Sequence, residues 1–338
     1  MTRKDFWRNS KVGIIGGGSW GTVLANIVSR NCREVRVWLR DEESVRIMNA
    51  TRMNPQYTSD MKLDEKIHAY SSLERIFEGG LQVVIWALPS QVCREQARTV
   101  AQHFHGDELV LHATKGIEAG TMKRMSEVLI EELPCRRIGV ISGPNLAHEI
   151  AQGEPAGTVV ASVFTEVCEA GQALLATDRF RVYSAPDIIG VEWAGALKNI
   201  LALATGALDS LKLGWNARAT LITRGLAEMV RFSLAMGAQE STFLGLAGVG
   251  DLLATCSSPL SRNYRVGLRL GQGESLSAIL DDLGSTAEGV STTQIVWKFA
   301  SKRNISMPIT EGVYRLLEGG SSVKEVLHSL MTRPVTGE

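Results

Sequence analysis

One cation stands within a long run of small and apolar residues. The stretch "VEWAGALKNILALATGAL" at 191–208 contains Lys198, followed directly by Asn199. At helical spacing the face around Lys198 carries Ala194, Gly195 and Leu201, and no acidic residue lies one turn away. Two explanations are open. Either the ammonium reaches out of a buried helix to water, or it sits in a pocket where a lysine of lowered pKa is chemically useful.

A glycine-rich turn supplies a second candidate site. In "VGIIGGGSWGT" the glycines Gly16, Gly18 and Gly21 have the G-x-G-x-x-G spacing, after an apolar run and before the helical pattern "TVLANIVSR". A strand, a glycine turn and a helix N-terminus bring backbone N–H groups and the helix dipole onto a pyrophosphate. An ordinary tight turn is the alternative, but the flanking strand and helix favour dinucleotide binding.

The end of the second apolar run bears on which dinucleotide is bound. The sequence there reads "VWLRD", with Arg40 and Asp41 side by side. An acidic residue at this place hydrogen-bonds the ribose hydroxyls of NAD, whereas an arginine suits the 2′-phosphate of NADP. Arg40 is the first polar residue after the run, which favours NADP(H) and leaves NAD(H) possible. The alternative is that both residues are solvated loop charges.

Polar residues also follow two later apolar runs. Lys115 ends "LHATKG", and Gly143 and Asn145 end "VISGPN". Ligands of open α/β sheets bind outside the carboxyl ends of the strands, so Lys115 and Asn145 are expected to face the same cleft as the glycine turn. Lys115 then suits a phosphate or carboxylate of a substrate. A loop lysine in solvent is the alternative.

The second half of the chain adds two polar clusters. Asp251 follows "GVG" and could be a helix N-cap, a common use of aspartate. In "SPLSRNYRVG", Ser261 could cap a helix whose first turn holds Arg262 and Asn263, which would make an oxyanion site. Glu288 precedes another helical stretch and could also serve as a cap.

These residues require a sheet in the first half of the chain and helices in the second. Seven short apolar runs at 11–16, 34–39, 81–88, 108–114, 137–142, 157–162 and 180–184 predict strands, with helical patterns between them. This alternation is typical of a doubly wound, mostly parallel, Rossmann-like α/β sheet. Glycine, alanine and leucine at helical spacing follow from Asp187 onward. The sequence therefore predicts a dinucleotide-binding domain at 1–186 and a helical substrate domain at 187–338.

The charge of the chain bears on its partners. Its 338 residues carry a formal net charge of zero, with no long run of Lys and Arg. A nucleic-acid or membrane-surface role therefore has no electrostatic support, and a small-molecule substrate is expected. No uncharged apolar stretch approaches the roughly 20 residues needed to cross a bilayer without glycine breaks. Since the nearest, 200–208, is too short, membrane insertion is not expected.

The cysteines indicate the compartment. All five are scattered without Cys-x-x-Cys or Cys/His spacing, so no metal site is predicted. They are typical of reduced packing residues in a cytoplasmic protein, and no apolar signal segment precedes the glycine turn. The many alanines and leucines of the second half leave room for a homodimer interface.

Taken together, these blocks resemble one family, the bacterial type of NAD(P)-dependent glycerol-3-phosphate dehydrogenase. The resemblance covers nearly the whole chain. Its blocks, in order, are "GGGSWGT", "ATKG", "ISGPN", "RVYSAPDIIGVEWAGALKN", "NARATLITRGLAEM", "GLAGVGDLLATC", "SRNYRVG", "MPIT" and "LMTRP". The chain departs from the family pattern at Asn145, where serine or threonine is usual, at "LAHEIA", and at Trp193, where leucine is frequent.

The resemblance implies a reaction and a set of site residues. The reaction interconverts dihydroxyacetone phosphate and sn-glycerol 3-phosphate with NADPH or NADH and supplies glycerol phosphate for phospholipid synthesis. Lys198 would be the proton acceptor, oriented by Asp251, and Asn199 would position the alcohol or the lysine. The implied dinucleotide contacts are Ser19, Trp20, Arg40, Lys115, Ala147, Arg262 and Glu288. The implied substrate contacts are Lys115, Gly143, Asn145, Lys198, Asp251, Ser261, Arg262 and Asn263.

Two rival functions fit part of the same pattern. A dehydrogenase of the β-hydroxyacid type would bind a carboxylate through the same cations, Lys115 and Arg262. A non-catalytic dinucleotide-sensing regulator would not need Lys198, Asp251 and Arg262 to converge. The family blocks favour the glycerol phosphate reaction over both.

Overall fold

The computed structural model describes residues 3–283 and 287–334. The chain divides into two compact units, each described below by itself. The first unit comprises Met1–Lys115 and Lys123–Ile188, and the second comprises Gly116–Met122 and Ile189–Glu338.

One short segment of the first half is grouped with the second unit. Residues Gly116–Met122 belong there because Ile117 and Met122 pack in the apolar core of the helical half. The sequence predicted a single boundary between the two domains, and a single boundary cannot assign Gly116–Met122 to the second unit. Local sequence pattern carries no information about which core a loop residue joins.

An eight-stranded sheet forms the centre of the first unit. Its order is β3-β2-β1-β4-β5-β6-β7-β8, parallel throughout except that β7 runs antiparallel to β6. A doubly wound, mostly parallel sheet is thereby confirmed. The strands are β1 Lys11–Ile15, β2 Glu34–Trp38, β3 Ile67–Tyr70, β4 Val83–Trp86, β5 Leu109–His112, β6 Ile138–Ser142, β7 Ala156–Ala161 and β8 Phe180–Ala185.

The sequence predicted seven of these strands and missed β3. Only four residues long, β3 lies at the edge of the sheet beside β2. Exposed His68 interrupts its apolar character. A short edge strand needs only one buried face, so it lacks the continuous apolar run that identifies a central strand.

Helices cover both faces of the sheet. Val12 and Ile14 of β1 point into one core cluster and Ile15 points into the other, as strand geometry requires. Because both faces are buried, the central strands read as continuous apolar runs. The helices of this unit are α1 Arg3–Arg8, α2 Ser19–Val28, α3 Glu42–Thr51, α4 Leu73–Phe77, α5 Cys93–Ala101, α6 Met125–Glu132, α7 Ala147–Ala151 and α8 Thr165–Leu175.

The second unit is helical, and the described residues 189–283 and 287–334 contain no strand. This confirms the prediction that the chain is helical from Asp187 onward. Its helices are α9 Ile188–Asp209, α10 Trp215–Ala235, α11 Asp251–Ser257, α12 Arg262–Gly271, α13 Leu276–Leu283, α14 Glu288–Lys302, α15 Pro308–Leu317 and α16 Val323–Met331.

The glycine cluster "GLAGVGD" at 245–251 is helical from Leu246 onward and not a loop. Leu246–Gly250 forms a π-helical turn that continues directly into α11. Gly248 makes this possible, because a Cβ there would lie 2.3 Å from the Phe243 backbone. Single π-helical turns occur often at functional sites, and this one positions Asp251.

Helix α9 is the central helix of the second unit. Every residue from Gly190 to Leu208 is buried. Among the described residues it is the one helix long and apolar enough to cross a membrane by length and composition, and 94% of its most apolar window is buried in the protein. The helix contains Gly195, Lys198 and Gly206, so it is not the uncharged, glycine-free stretch whose absence the sequence predicted. The burial makes α9 a core helix.

Helices α9 and α12 cross with their backbones in close contact. A Cβ at Gly206 would lie 2.0 Å from Tyr264 O, and a Cβ at Gly267 would lie 2.0 Å from Leu203 O. Any side chain at either position would separate the helices. The two glycines thus place the first turn of α12 beside the last turn of α9.

Candidate active site

The glycine turn joins β1 to α2 in the first unit. Gly16 has φ +113°, and a Cβ there would lie 2.8 Å from Ala87 O. A Cβ at Gly21 would lie only 1.8 Å from Gly16 O, so α2 can pack on the turn only with glycine at this position. By contrast, a Cβ at Gly18 would meet no atom within 4 Å. Gly16 and Gly21 allow the backbone to pack closely within the turn, whereas the space beside Gly18 is open.

The turn exposes hydrogen-bond donors at the start of α2. Gly18 is the N-cap, with no side-chain cap, and Ser19 is the first helical residue. No described residue accepts a hydrogen bond from the N–H groups of Gly18, Ser19 or Trp20. Unpaired N–H groups at a helix N-terminus next to glycine are the usual binding site of a diphosphate. The residues present therefore fit a dinucleotide.

Two apolar residues implied as dinucleotide contacts lie in the same unit. Trp20 and Ala147 both pack against its larger core cluster, and the helices that carry them, α2 and α7, are in contact. The Trp20 ring is held by Phe180, with ring centroids 6.3 Å apart. His148, within the departure from the family pattern, is exposed.

Arg40 and Asp41 have different surroundings after β2. Asp41 is the N-cap of α3, and its Oδ2 accepts hydrogen bonds from Ser44 N at 2.7 Å and Ser44 Oγ at 2.6 Å. These bonds, first that of the Ser44 hydroxyl, lower the pKa of Asp41 below its ordinary value. Arg40 is exposed and makes no hydrogen bond or ion pair with the described residues. The Asp41 carboxylate is thus used to cap α3.

Lys115, Gly143 and Asn145 lie together, as the sheet topology predicted. Lys115 Nζ donates to Gly143 O at 3.2 Å. Asn145 Nδ2 donates to Gly157 O at 3.1 Å, and its Oδ1 accepts from Thr158 Oγ1 at 2.9 Å. The Asn145 side chain therefore braces the start of β7, a structural role that the sequence did not indicate.

Lys198 does not reach out to water. Its side chain is 7% exposed, and Nζ donates to Asp251 Oδ1 at 2.6 Å and to Thr255 Oγ1 at 2.6 Å. Asp251 is 1% exposed, so this is a buried ion pair. The two residues come together from 53 positions apart in the chain. Of the two explanations for the lone cation, the structure favours the pocket.

The cluster corrects one alternative and adds one residue. Asp251 is the first residue of α11 rather than its N-cap, and its carboxylate pairs with Lys198. Thr255 was missed by sequence reasoning. Its signal was present, because it lies four residues after Asp251 on α11 and therefore on the same helix face. Thr255 Oγ1 also lies 3.2 Å from Asp251 Oδ1, which closes a triangle of polar groups.

The surroundings of the ion pair are apolar enough to perturb a neighbouring thiol. Burial raises the pKa of Cys256 to about 11, against the opposing effects of a Thr205 hydrogen bond and the Lys198 charge. Cys256 is fully buried next to Thr255. An environment that strongly disfavours a thiolate also strengthens the attraction between the lysine and the aspartate.

A second cluster of amides lies on α9, α12 and α14. Asn263 Oδ1 accepts from Gly289 N at 3.0 Å, in the first turn of α14. A Cβ at Gly289 would lie 2.7 Å from Asn199 O and 2.8 Å from Asn263 Oδ1. The Asn199 backbone carbonyl and the Asn263 side chain therefore meet at the same glycine. Glu288, the first residue of α14, is half-buried beside them.

The first turn of α12 has the predicted arrangement. Ser261 is the N-cap, and its side chain accepts from Tyr264 N at 3.3 Å. Arg262 follows as the first helical residue and is exposed, whereas Asn263 is buried. A guanidinium beside a helix N-terminus is suited to an oxyanion.

The predicted residues thus form groups within each unit. The first unit holds the glycine turn and the group of Lys115, Gly143 and Asn145. The second holds Lys198 with Asp251, and the amide cluster that leads to Arg262 and Glu288. The described residues contain no cluster of three or more His, Cys, Asp or Glu side chains able to hold a metal ion.

A Rossmann-like first unit with a glycine turn, followed by helices that bury a lysine–aspartate pair, is typical of dinucleotide-dependent dehydrogenases. Comparison with known proteins specifies the family. Residues 11–168 match the model of the NAD-dependent glycerol-3-phosphate dehydrogenase N-terminus, and residues 187–328 match that of its C-terminus. The chain belongs to the NAD-dependent glycerol-3-phosphate dehydrogenase family.

Individual relatives extend over almost the entire chain. Glycerol-3-phosphate dehydrogenase (NAD(P)+) of Teredinibacter turnerae is 45% identical over 95% of this chain and 94% of its own. The protein of the same name from Leuconostoc mesenteroides is 42% identical over 97% of this chain and 99% of its own. The crystal structure of glycerol-3-phosphate dehydrogenase from Coxiella burnetii is 37% identical, covers 96% of this chain and 99% of its own, and superposes with a TM-score of 0.90.

Proposed function

We propose that this chain interconverts sn-glycerol 3-phosphate and dihydroxyacetone phosphate by hydride transfer with NADP(H), and that it supplies glycerol 3-phosphate for phospholipid synthesis. The family supplies the class of reaction. The observation that carries the proposal is the buried ion pair between Lys198 Nζ and Asp251 Oδ1 at 2.6 Å. Oxidation of a secondary alcohol needs a group that takes the hydroxyl proton and can return it.

Lys198 is assigned the proton transfer. The nicotinamide, when bound, accepts or supplies the hydride. In the oxidative direction the Lys198 amine accepts the alcohol proton, and in the reductive direction the ammonium donates it to the carbonyl oxygen. Asp251 stabilises the ammonium that forms, and Thr255 holds Nζ in a fixed position. Asn199, on the next position of α9, positions the alcohol or the lysine.

The substrate phosphate is assigned to the start of α12. Ser261, Arg262 and Asn263 combine a capped helix N-terminus, a guanidinium and a buried amide. Lys115, Gly143 and Asn145 are proposed as further substrate contacts. Because Asn145 already uses one N–H and its carbonyl oxygen within the protein, we assign its contact to the second N–H.

NADP(H) is proposed over NAD(H) because of the different surroundings of Arg40 and Asp41. The Asp41 carboxylate is held by Ser44, whereas Arg40 is exposed. An exposed guanidinium at this place suits a 2′-phosphate. We expect Arg40→Ala to raise KM for NADPH about tenfold and to leave KM for NADH unchanged, with Asp41→Ala as the matched control. Equal effects of Arg40→Ala on both dinucleotides would contradict the assignment.

The reaction itself is tested by nicotinamide absorbance. Purified protein is mixed with dihydroxyacetone phosphate and NADPH, and the assay is repeated with NADH. Rapid loss of absorbance with NADPH is the expected result. A preference for NADH would keep the reaction but assign the ribose contact to Asp41.

The same assay separates the rival functions. A dehydrogenase of the β-hydroxyacid type would oxidise NADPH with a keto acid but not with dihydroxyacetone phosphate. A sensor would bind NADPH and turn over neither substrate. Either result would contradict the proposed reaction.

We further propose that the protein works in the cytoplasm as a homodimer. All five cysteines are buried and free, which fits a reducing compartment. Trp215 and Leu244 in the second unit are 81% and 77% exposed and would suit an apolar interface. Light scattering after size-exclusion chromatography would give the mass in solution, and a mass of one chain would contradict the dimer.

A further inference from the structure

A buried amide from a distant loop holds the glycine turn. Asn54 lies in the connection between α3 and β3 and is 2% exposed. Its Nδ2 donates to Gly17 O at 2.9 Å and to Thr22 Oγ1 at 2.9 Å. The Thr22 hydroxyl donates to the same Gly17 carbonyl at 3.2 Å. Two buried side chains therefore fix this one carbonyl.

The fixed carbonyl also sets the direction of the next N–H group. The peptide between Gly17 and Gly18 is trans and planar, so its C=O and N–H point in opposite directions. Because Asn54 and Thr22 hold Gly17 O on the buried side, the Gly18 N–H is directed away from them. No described residue accepts a hydrogen bond from this N–H, and a Cβ at Gly18 would meet no atom within 4 Å. The donor thus points away from the buried side of the turn and has no acceptor among the described residues.

We propose that Asn54 is a positioning residue for the diphosphate of the bound dinucleotide. It acts through the Gly17–Gly18 peptide and makes no contact with the ligand itself. Without its two hydrogen bonds the peptide could rotate and present a carbonyl oxygen to the diphosphate, which would repel it. The inference rests on the proposed dinucleotide-dependent function and adds a residue to it.

The loop that carries Asn54 is itself well anchored. Arg52, which has φ +57° at the end of α3, donates through its guanidinium to Ile67 O at 2.8 Å and to Asp64 O. Thr58 N donates to Asn54 O at 2.8 Å. A loop of this length without regular structure is uncommon in a compact unit and usually has a function. Its anchoring makes Asn54 a fixed support for the turn.

The test is the affinity for NADPH, measured directly by quenching of tryptophan fluorescence. Asn54→Ala is expected to raise the Kd about fivefold to tenfold, because preorganised hydrogen bonds are lost. Thr22→Val removes the Thr22 bond to the same carbonyl and the Asn54 bond to the hydroxyl but keeps the Asn54 bond to the carbonyl, so it should raise the Kd about twofold to threefold. In steady state, KM for NADPH should rise with kcat and KM for dihydroxyacetone phosphate unchanged.

A second asparagine in the same unit offers a matched control. Asn31 Nδ2 likewise donates two hydrogen bonds, here to the backbone carbonyls of Leu174 at 3.0 Å and Ala176 at 2.9 Å, but it does not contact the turn. Asn31→Ala should lose similar hydrogen bonds and change the Kd for NADPH less than about twofold. A Kd that rises equally in Asn31→Ala and Asn54→Ala would overturn the proposal, because general loosening would then explain both.

Other outcomes are equally decisive. A folded Asn54→Ala variant with the wild-type Kd would overturn the positioning role. If that variant does not fold, Thr22→Val and Thr22→Ser decide, since only the serine keeps the hydroxyl and should restore affinity. A wild-type protein that binds NADPH but does not reduce dihydroxyacetone phosphate would overturn the proposed reaction and leave this binding test valid.

Discussion

The glycine turn and the Lys198 cluster differ in the kind of group that each presents, backbone N–H groups in the turn and charged side chains in the cluster. In the turn, the groups proposed to bind the dinucleotide are backbone N–H donors, and glycine is required because Cβ atoms at Gly16 and Gly21 would collide with backbone. In the cluster, the functional groups are charged side chains that are held by one another and buried in helices. The turn depends on the absence of side chains, and the cluster depends on their identity.

This difference predicts different responses to substitution. A change in the turn should alter its shape and therefore the affinity for the dinucleotide. A change in the cluster should alter charge and proton transfer, and therefore the rate. The variants below test that separation, from the largest expected effect to the smallest.

Lys198→Ala should lower kcat about a thousandfold, within the range that general acid–base catalysis contributes. The Kd for NADPH should stay near the wild-type value, because Lys198 belongs to the cluster and not to the turn. Steady-state assays and fluorescence titration measure the two quantities. Retained turnover would refute the role of Lys198.

The alanine variant also leaves the Asp251 carboxylate buried without its cation, which costs about 3–5 kcal/mol of folding stability. Lys198→Arg is the control, because it keeps the positive charge but cannot give up its proton near neutral pH. It should fold and remain nearly inactive. An active arginine variant would show that charge alone is sufficient.

Gly21→Ala should weaken NADPH binding about a hundredfold, since overpacking of backbone against backbone costs about 1–3 kcal/mol or more. The new Cβ would lie 1.8 Å from Gly16 O, so α2 must move away from the turn. Gly18→Ala is the matched control for stability, because its Cβ meets no protein atom. It should leave Tm unchanged and weaken only the approach of the diphosphate. Equal Tm losses in both variants would contradict this account of the turn.

Thr255→Val should lower kcat about tenfold by removing a hydrogen bond that fixes Lys198 Nζ. KM for NADPH should not change. Thr255→Ser keeps the hydroxyl and should restore most of the rate. If the valine variant instead changed only KM for the dinucleotide, it would contradict the claim that the cluster affects the rate and the turn affects dinucleotide affinity.

Thiol reagents should have almost no effect on the native protein. Burial raises the pKa of Cys256 to about 11 and those of Cys32 and Cys135 to about 12, so thiolate is scarce at pH 8. Titration with a chromogenic disulfide should detect no rapidly reacting group before denaturant is added. Fast modification coupled to loss of activity would show that the cluster opens to solvent.

The same pKa values predict the alkaline limit of stability. These thiols ionise near pH 9 once unfolded but near pH 11–12 when folded. The unfolded state therefore releases protons first, and the free energy of unfolding should fall as pH rises above 9. Urea unfolding between pH 8 and pH 10.5 would measure the decrease. A free energy that rises with pH would contradict the burial of the thiols.

Several parts of the molecule were predictable because their signals are local. The G-x-G-x-x-G spacing identified the turn, and apolar runs identified seven of the eight strands. Lys198 was conspicuous because a cation in an apolar helix needs a partner. The short edge strand β3 and the π-helical turn before Asp251 were not predictable, since neither has a distinctive pattern in its own residues.

The residues that support the site were harder to find than the residues that form it. Asn54 looks like any loop asparagine, and only folding brings its amide to a carbonyl 37 positions away. Asn145 matched a predicted substrate contact, yet the structure uses its side chain to brace β7. Hydrogen bonds between distant segments produce no periodic pattern of residues, so they cannot be predicted from the sequence.

The sequence by itself determined the two architectures, the glycine turn and the presence of one cation in an apolar helix, because each depends on spacing within one segment. Only the tertiary structure decided that Lys198 pairs with Asp251 and Thr255, and that Asn54 and Thr22 direct the turn. The physical reason is that a partner in a folded chain is chosen by distance in space. The two residues are 53 positions apart in the sequence, and nothing in the intervening residues indicates the 2.6 Å distance between their charged atoms.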